Sequence, residues 1–340
     1  MRCLLKSYLD NIETSHRVIK RPQTLVATEF TTDFIHILDK YEKQKENTYK
    51  VLELVGSNYV FENYGSDVHN RLYGTILNCG TQLQFTKTNE NGAAVYHLTG
   101  ANFCRQRICP MCQFRRAEKL FIQMFNVVKH LEGQYRFLHL VLTIPNCDTG
   151  GELVEGIKLL YASFSKFYKY KEVKQAFKGC LRCLEISYNY ENNSFHPHLH
   201  CLIAVNNSYF NDTRVYLSYD KIRQLWTKAC KADKPLQIYI RACKVGDYEG
   251  VAEVCKYSVK PLDLTKSDND IQNLTIVMTL FHTLKGMRFL QKYGVIKSTF
   301  SELYGCNDDE YVDDIRNGEH RRLFFRWDGA KMGYRKVDDN

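Results

Sequence analysis

Three histidines alternate in the run Phe-His-Pro-His-Leu-His, which opens an apolar segment of this chain. Because side chains on a β-strand alternate between its two faces, His196, His198 and His200 can point the same way. Pro197 cannot donate a ladder hydrogen bond, which places it at the strand entrance or on an edge and makes His198 and His200 the better pair. Imidazole commonly binds divalent metals, and a hairpin would bring the Glu185 carboxylate across from these two histidines. The pattern therefore predicts a divalent metal site.

A second chemical pattern is the run Glu-Val-Cys-Lys-Tyr-Ser-Val-Lys, which begins at Glu253. Glu253 and Tyr257 are four residues apart and share one face of a helix, and Lys260 lies three residues further on. Tyrosine, with a pKa of roughly 10, is a weak nucleophile at neutral pH, but a nearby lysine favours the phenolate. With a metal to polarise a phosphate, Tyr257 is a candidate nucleophile, and Glu253 puts a carboxylate on the same face. Taken alone, the segment also fits an ordinary surface helix.

The third pattern is a group of three thiols at Cys104, Cys109 and Cys112. The spacing of Cys109 and Cys112 is typical of a knuckle that holds structural zinc. A fourth ligand must come from elsewhere, and we predict Cys79, with His97 as its substitute. The alternative is a set of reduced cysteines in a protein core, which 13 cysteines without an export signal also allow.

Basic residues surround this knuckle. They are Arg105, Arg107, Arg115, Arg116 and Lys119. Such a cluster suits phosphate contacts along DNA, although a solvated charged face is the alternative. The net charge of +9, from 47 basic and 38 acidic residues, fits a nucleic-acid partner without requiring one.

No apolar run in the sequence reaches the length of about 18 residues that a membrane-spanning helix needs. The N-terminal residues also lack the long apolar stretch and the cleavage site of an export signal. We therefore expect no membrane partner and a cytoplasmic protein.

Hydrophobic periodicity predicts the order strand, helix, strand, strand, helix, strand, helix from the middle of the chain onward. The predicted strands cover residues 135–144, 181–190, 198–205 and 236–245. The predicted helices cover residues 31–45, 113–132, 153–177, 217–232, 250–260 and 270–292. This order favours an α+β fold, with a central antiparallel sheet, helices packed on it, and a small zinc-binding module.

These motifs, in this order, resemble rolling-circle plasmid replication initiators of the HUH endonuclease superfamily. The segments that carry the resemblance are residues 103–116, 137–146, 196–200, 253–260 and 283–297. Within that superfamily the chain looks most like the single-tyrosine branch, which has a glutamate four residues before the tyrosine. The resemblance implies the HUH nuclease fold and four segments. They are a 1–70 N-terminal segment without a readable role, a 71–125 zinc module with the basic patch, a 126–265 nuclease domain and a 266–340 C-terminal helical extension.

The resemblance also implies an activity, which is site- and strand-specific nicking at the plasmid's double-strand origin. Tyr257 would become joined to the 5′ end, Glu253 would assist hydrolysis at termination as a general base, and the freed 3′-OH would prime synthesis. Mn²⁺ or Mg²⁺ would be held by His198, His200 and Glu185. The implied partners are origin DNA, single-stranded or in a hairpin at the nick, and a host helicase.

Two other interpretations remain open. The run His-Pro-His-Leu-His-Cys-Leu also fits the pattern of a histidine-triad nucleotide hydrolase or transferase, in which a histidine is the nucleophile. The knuckle and its basic residues fit a non-catalytic, zinc-dependent DNA-binding regulator. The first interpretation does not explain the cysteines, and the second gives the histidine strand no role.

Overall fold

A computed structural model of the protein describes six ranges of residues. They are 30–90, 92–246, 248–256, 264–305, 311–313 and 321–337. Residues 257–263 lie outside these ranges, so Tyr257 and Lys260, both predicted to act in catalysis, have no structural description.

The chain divides into two compact units, and we describe each by itself. The histidine unit comprises, among the described residues, 117–246, 248–256 and 278–305. The cysteine unit comprises, on the same basis, 30–90, 92–116, 264–277, 311–313 and 321–337. The prediction of four separate segments stays a prediction.

The described ranges contain ten helices and nine strands with defined bounds. In chain order they are α1 (Thr32–Val55), α2 (Asn58–Tyr64), α3 (Ser66–Asn78), β1 (Gln82–Glu90), β2 (Ala93–Ala101), α4 (Pro110–Leu131), β3 (Tyr135–Thr143), α5 (Gly150–Phe167), α6 (Lys171–Ala176), β4 (Phe177–Asn189), β5 (Ser194–Asn206), α7 (Tyr219–Cys230), β6 (Ile238–Ala242), α8 (Glu249–Val254), α9 (Asp270–Thr283), β7 (Leu290–Tyr293), α10 (Gly294–Tyr304), β8 (Arg321–Asp328) and β9 (Gly333–Val337). Their strands form two antiparallel sheets, which confirms the α+β prediction. No helix in these ranges is long and apolar enough to cross a membrane.

The histidine unit is built on a five-stranded sheet in the order β6-β3-β5-β4-β7. Its central strand, β5, contacts α5 and α8. Because both faces of β5 are covered, the residues after the last histidine are apolar and fully buried, from Cys201 to Val205.

A hairpin joins β4 to β5, as expected, and the run Asn-Asn-Ser (192–194) closes its turn. Asn193 adopts φ +50° in this turn, a left-handed conformation that asparagine tolerates better than most residues. The resulting register places Glu185 opposite His198 and Cys183 opposite His200. Directly opposed residues share a face of the sheet, so the expected pairing of Glu185 with the histidine pair is confirmed.

The proline in β5 does not end the strand. Pro197 lies within the pairing with β4, opposite Ile186, although the regular strand was expected to start near His198. The ladder with β3 ends at the pair of Thr143 and His198, and the next contact on that side is an isolated bridge at Phe195. The proline therefore falls in a gap of the β3 ladder, where a missing N–H leaves no bond unmade.

The predicted helix 250–260 ends at Val254. Two other predicted helices end early because β4 takes strand partners on both sides. The predicted helix 153–177 ends at Phe167, and β4 begins at Phe177, which pairs with Val205. The predicted helix 270–292 ends at Thr283, and its last residues form β7 against Cys180–Cys183 of β4. Tertiary pairing overrides helix propensity in both places.

The cysteine unit carries a four-stranded sheet in the order β2-β1-β8-β9. Helix α1 begins after Thr31, whose side chain accepts a hydrogen bond from the Phe34 amide. The Phe34 ring packs against Phe85 of β1 and Phe325 of β8, with ring centroids 5.0 and 5.6 Å away. Residues from both ends of the chain therefore complete this core, and no sequence pattern had indicated a role for either end.

Two candidate metal centres

The first cluster consists of Glu185, His198 and His200 on one face of the five-stranded sheet. One ligand atom from each lies within 4.8 Å of the others. The Glu185 carboxylate is 2.9 Å from His200 Nε2 and 3.7 Å from His198 Nε2. Two imidazoles and one carboxylate that converge in this way form a donor set that fits Mn²⁺ or Mg²⁺.

The electrostatics of this cluster keep the carboxylate ionised. Burial alone would raise the pKa of Glu185, but hydrogen bonds from His198 and His200 hold that pKa well below its usual range. Glu185 and His198 are only 5% and 8% exposed. An ionised carboxylate beside imidazole nitrogens is the protonation state that a divalent metal requires.

A fourth side chain, His139 on β3, fixes the orientation of His200. His139 Nε2 is 3.0 Å from His200 Nδ1, and the two rings are nearly parallel at 12°, with centroids 5.2 Å apart. Burial, followed by the charge of His200, lowers the pKa of His139 to about 3, so its ring is neutral and bonds to His200 through Nε2. This contact engages His200 Nδ1, and His200 Nε2 faces the Glu185 carboxylate.

The role of His139 was not predicted from the sequence. A sequence signal for it was available, because His139 lies in the strand segment that carries the family resemblance. His139 and Thr143 are an even number of residues apart and therefore share a face of β3, and Thr143 pairs with His198. Identifying its partner, however, required the order of strands in the sheet.

The third histidine of the alternating run is engaged differently. His196 Nδ1 lies 2.7 Å from the Asn146 side-chain oxygen, and Asn146 donates in turn to Ser194 at 2.8 Å. His196 is absent from the converging ligand group. The preference for His198 and His200 as the ligand pair therefore agrees with the geometry.

Helix α8 covers the same face of the sheet. It contacts β3, β4 and β5, and a side chain at Gly250 would collide with the Cys243 thiol, so glycine permits this close approach. Cys255, just after α8, is buried, and burial together with the neighbouring Cys183 raises its pKa. Since Cys183 is opposite His200, the last described turn before residue 257 lies over the metal-ligand face.

Glu253, the predicted general base, lies on α8 and forms an ion pair with Lys256 at 2.5 Å. Its side chain is partly exposed. Lys260, the cation predicted beside the tyrosine, lies outside the described residues, so its role stays a prediction.

The second cluster brings together Cys79, Cys104, Cys109 and Cys112. The Cys112 sulfur is 3.5 Å from that of Cys79 and 3.6 Å from that of Cys104, and the Cys109 and Cys79 sulfurs are 3.6 Å apart. For zinc–sulfur bonds of about 2.3 Å, a tetrahedron has edges of about 3.8 Å. The cluster therefore fits a tetrahedral zinc ion.

Local structure prepares these thiols as ligands. Helix α4 begins at Pro110, so Cys109 immediately precedes it and Cys112 lies in its first turn, where burial raises the pKa of the Cys112 thiol. The amides of Cys104 and Arg105 donate to the sulfurs of Cys79 and Cys112 at 3.3 and 3.2 Å. Burial raises the pKa of Cys109, but hydrogen bonds from the other three thiols more than offset this and hold it well below its usual range.

The choice of Cys79 as the fourth ligand agrees with this geometry. His97, the substitute proposed from the sequence, instead directs Nε2 to the Glu90 carboxylate at 3.1 Å and to the Thr88 hydroxyl at 3.2 Å.

Some of the basic residues near the knuckle contact other residues of the protein. Arg115 donates to the Tyr311 backbone oxygen at 2.6 Å and pairs with the Asp313 carboxylate at 2.7 Å. The guanidinium groups of Arg105 and Arg116 lie over the Tyr311 ring, 5.3 and 5.0 Å from its centroid. These contacts anchor a C-terminal segment to the knuckle.

The five residues predicted to contact DNA differ in their exposure to solvent. Arg105 is exposed and Arg107 and Arg116 are partly exposed, so their contact with phosphate stays a prediction. Arg115 and Lys119 are buried, which disagrees with that role, because a buried cation cannot reach a phosphate without movement.

The fold and its clusters define a class of protein. Its described residues form an α+β fold with a candidate metal centre of histidine and carboxylate on one antiparallel sheet and a candidate centre of four thiols in the other unit. A family model described as Replication protein matches residues 95–335. The chain belongs to this family of replication proteins.

Individual relatives agree with the family match. A Protein rep of Lactiplantibacillus plantarum is 31% identical over 254 residues, which cover 72% of this chain and 76% of that protein. A Protein rep of Streptococcus pneumoniae is 28% identical over 313 residues, or 88% and 94% of the two chains. One of Staphylococcus aureus is 33% identical over 231 residues, or 66% and 94%. No solved structure matches significantly. The resemblance to plasmid replication initiators is thus confirmed at the level of the family.

Proposed function

We propose that the protein is an HUH-type single-strand DNA endonuclease that starts rolling-circle replication by nicking the plasmid's double-strand origin. The observation that carries this proposal is the convergence of Glu185, His198 and His200 on a sheet face covered by α8, the helix that precedes Tyr257. Membership in a family of replication proteins supports it over a histidine-triad hydrolase.

In the proposed reaction the Tyr257 hydroxyl attacks the scissile phosphorus. A phosphorus–oxygen bond forms to the tyrosine, the bond to the 3′ oxygen breaks, the phenol loses its proton and the departing oxygen gains one. Lys260 would favour the phenolate. Mn²⁺ or Mg²⁺ bound by the Glu-His-His cluster would supply Lewis-acid stabilisation of charge on the phosphate oxygens. The products are a 5′-phosphotyrosine and a free 3′-OH that primes synthesis.

Other residues of the chain would support this reaction. His139 lies 3.0 Å from His200 Nδ1. By accepting a hydrogen bond from this nitrogen, it would hold His200 in the tautomer that presents Nε2 to the metal. Arg105, Arg107 and Arg116 would contact phosphates of the origin, and a host helicase would unwind the nicked plasmid.

A plasmid-nicking assay tests the proposal directly. Purified protein, incubated with a supercoiled plasmid that carries its origin and with MnCl₂, should convert the plasmid to open circles and leave a covalent protein–DNA adduct that resists detergent. EDTA should prevent both products, and a plasmid without the origin should stay supercoiled. Nicking without an adduct, or nicking in EDTA, would contradict the proposed mechanism.

Replacement of Glu253 by alanine should separate initiation from termination. The variant should nick at a rate near that of the wild type, because the nucleophile is unchanged, but release of finished circles should slow by roughly 100-fold. The measurement is the ratio of released circles to adduct in a replication or strand-transfer assay.

The control for this variant is Glu249→Ala. Glu249 lies on the same helix, and its ion pair with Arg241 is 2.9 Å long. It should terminate normally. Normal termination by Glu253→Ala would show that the glutamate has no hydrolytic role.

A further inference from the structure

Lys45, near the middle of α1, is a fully buried lysine, with an exposed fraction of 0%. Its ammonium donates to the backbone oxygen of Leu77 at 2.9 Å and to that of Cys79 at 2.6 Å. It also lies 5.3 Å from the centroid of the Tyr49 ring. Within the described residues, none of these contacts involves a carboxylate.

A buried ammonium without a compensating anion is costly, because carbonyl dipoles replace only part of its hydration. The acidic groups that act on Lys45 are the cysteine side chains of the cluster. Burial lowers the pKa of Lys45, while the charges of Cys79, Cys109 and Cys104 raise it. Four thiolates around one divalent ion leave a net charge of about −2, which is itself unfavourable in a buried site. Each charge is therefore suited to offset the other.

We propose that Lys45 is a positioning and charge-balancing residue of a zinc centre at the four cysteines. Its ammonium offsets the negative charge of the metal-bound thiolates, and its bond to the Cys79 carbonyl holds that ligand in place. The proposal depends on zinc at this cluster and is independent of the nicking reaction.

The charge of Lys45 should have opposite effects on the stability of the protein with zinc and without it. With zinc bound, the lysine and the anionic centre stabilise each other. Without zinc, the ammonium stays buried with no metal-bound thiolates to offset its charge. Removal of the lysine charge should therefore weaken zinc binding and, at the same time, stabilise the metal-free protein.

The test uses the full chain and three substitutions at one position. Lys45→Met removes the charge and the hydrogen bonds, Lys45→Gln keeps a donor without charge, and Lys45→Arg keeps the charge. Zinc affinity is measured by competition with a chromophoric chelator, and thermal unfolding is recorded with zinc and after metal removal. Lys50→Met is the matched control, because Lys50 is an exposed lysine on the same helix.

We expect Lys45→Met and Lys45→Gln to lower zinc affinity roughly tenfold or more, Lys45→Arg to lower it less, and Lys50→Met to leave it unchanged. Metal-free Lys45→Met should unfold at a higher temperature than metal-free wild type. Wild-type affinity in Lys45→Gln would overturn the role of charge, and failure of the wild type to bind zinc at the cysteines would overturn the whole proposal. Because nicking is not measured, either result leaves the proposed endonuclease activity untouched.

Discussion

Replacement of Tyr257 by phenylalanine is expected to abolish the covalent protein–DNA adduct and to lower the nicking rate roughly 1000-fold or more. The substitution removes one oxygen, which is the atom proposed to form the bond to phosphorus. The measurement is adduct formation on a radiolabelled origin oligonucleotide with Mn²⁺, resolved on a denaturing gel. Origin binding, measured by gel shift, should be unchanged.

The control for this variant is Tyr216→Phe, which removes a phenol hydroxyl from a ring that is 48% exposed. It should form the adduct at the wild-type rate. The alternative nucleophile to examine is Tyr239, which is 50% exposed and whose ring centroid lies 5.8 Å from that of His139. An adduct that persists in Tyr257→Phe and maps to Tyr239 would contradict the assignment of Tyr257.

Replacement of His198 by alanine is expected to weaken Mn²⁺ binding roughly 100-fold and to remove nicking at ordinary metal concentrations. The substitution deletes one of the three protein ligands that converge within 4.8 Å, and it leaves Glu185 buried beside a single imidazole. Isothermal titration with MnCl₂ measures the affinity without reference to activity. Origin DNA should still bind, because the exposed basic residues of the knuckle lie in the other unit.

His196→Ala is the discriminating control, because it removes a histidine from the same strand. His196 bonds to Asn146 and stands outside the ligand group, so its loss should change Mn²⁺ affinity no more than a few-fold. Equal loss of affinity in both variants would show that all three histidines bind the metal. Unchanged affinity in His198→Ala would mean that the cluster is not the metal site.

The short-range patterns of the sequence determined much of the candidate sites. Strict alternation put His198 and His200 on one face, the Asn-Asn-Ser turn set the β4–β5 register, and the pairing with Glu185 followed from that register. These relations hold because strand periodicity and hairpin geometry depend on residues close together in the chain.

Only the tertiary structure decided which distant residues complete those sites. The sheet order placed His139 against His200, and the packing of α1 placed Lys45 at the Cys79 carbonyl. The pairing of β8 with β1 joined the C-terminal strands to the second sheet. Local periodicity shows which face of an element is apolar, but it does not show which other element covers that face. Such contacts are selected by the combined burial and hydrogen bonding of the whole fold, and for that reason these partners could not be predicted from spacing.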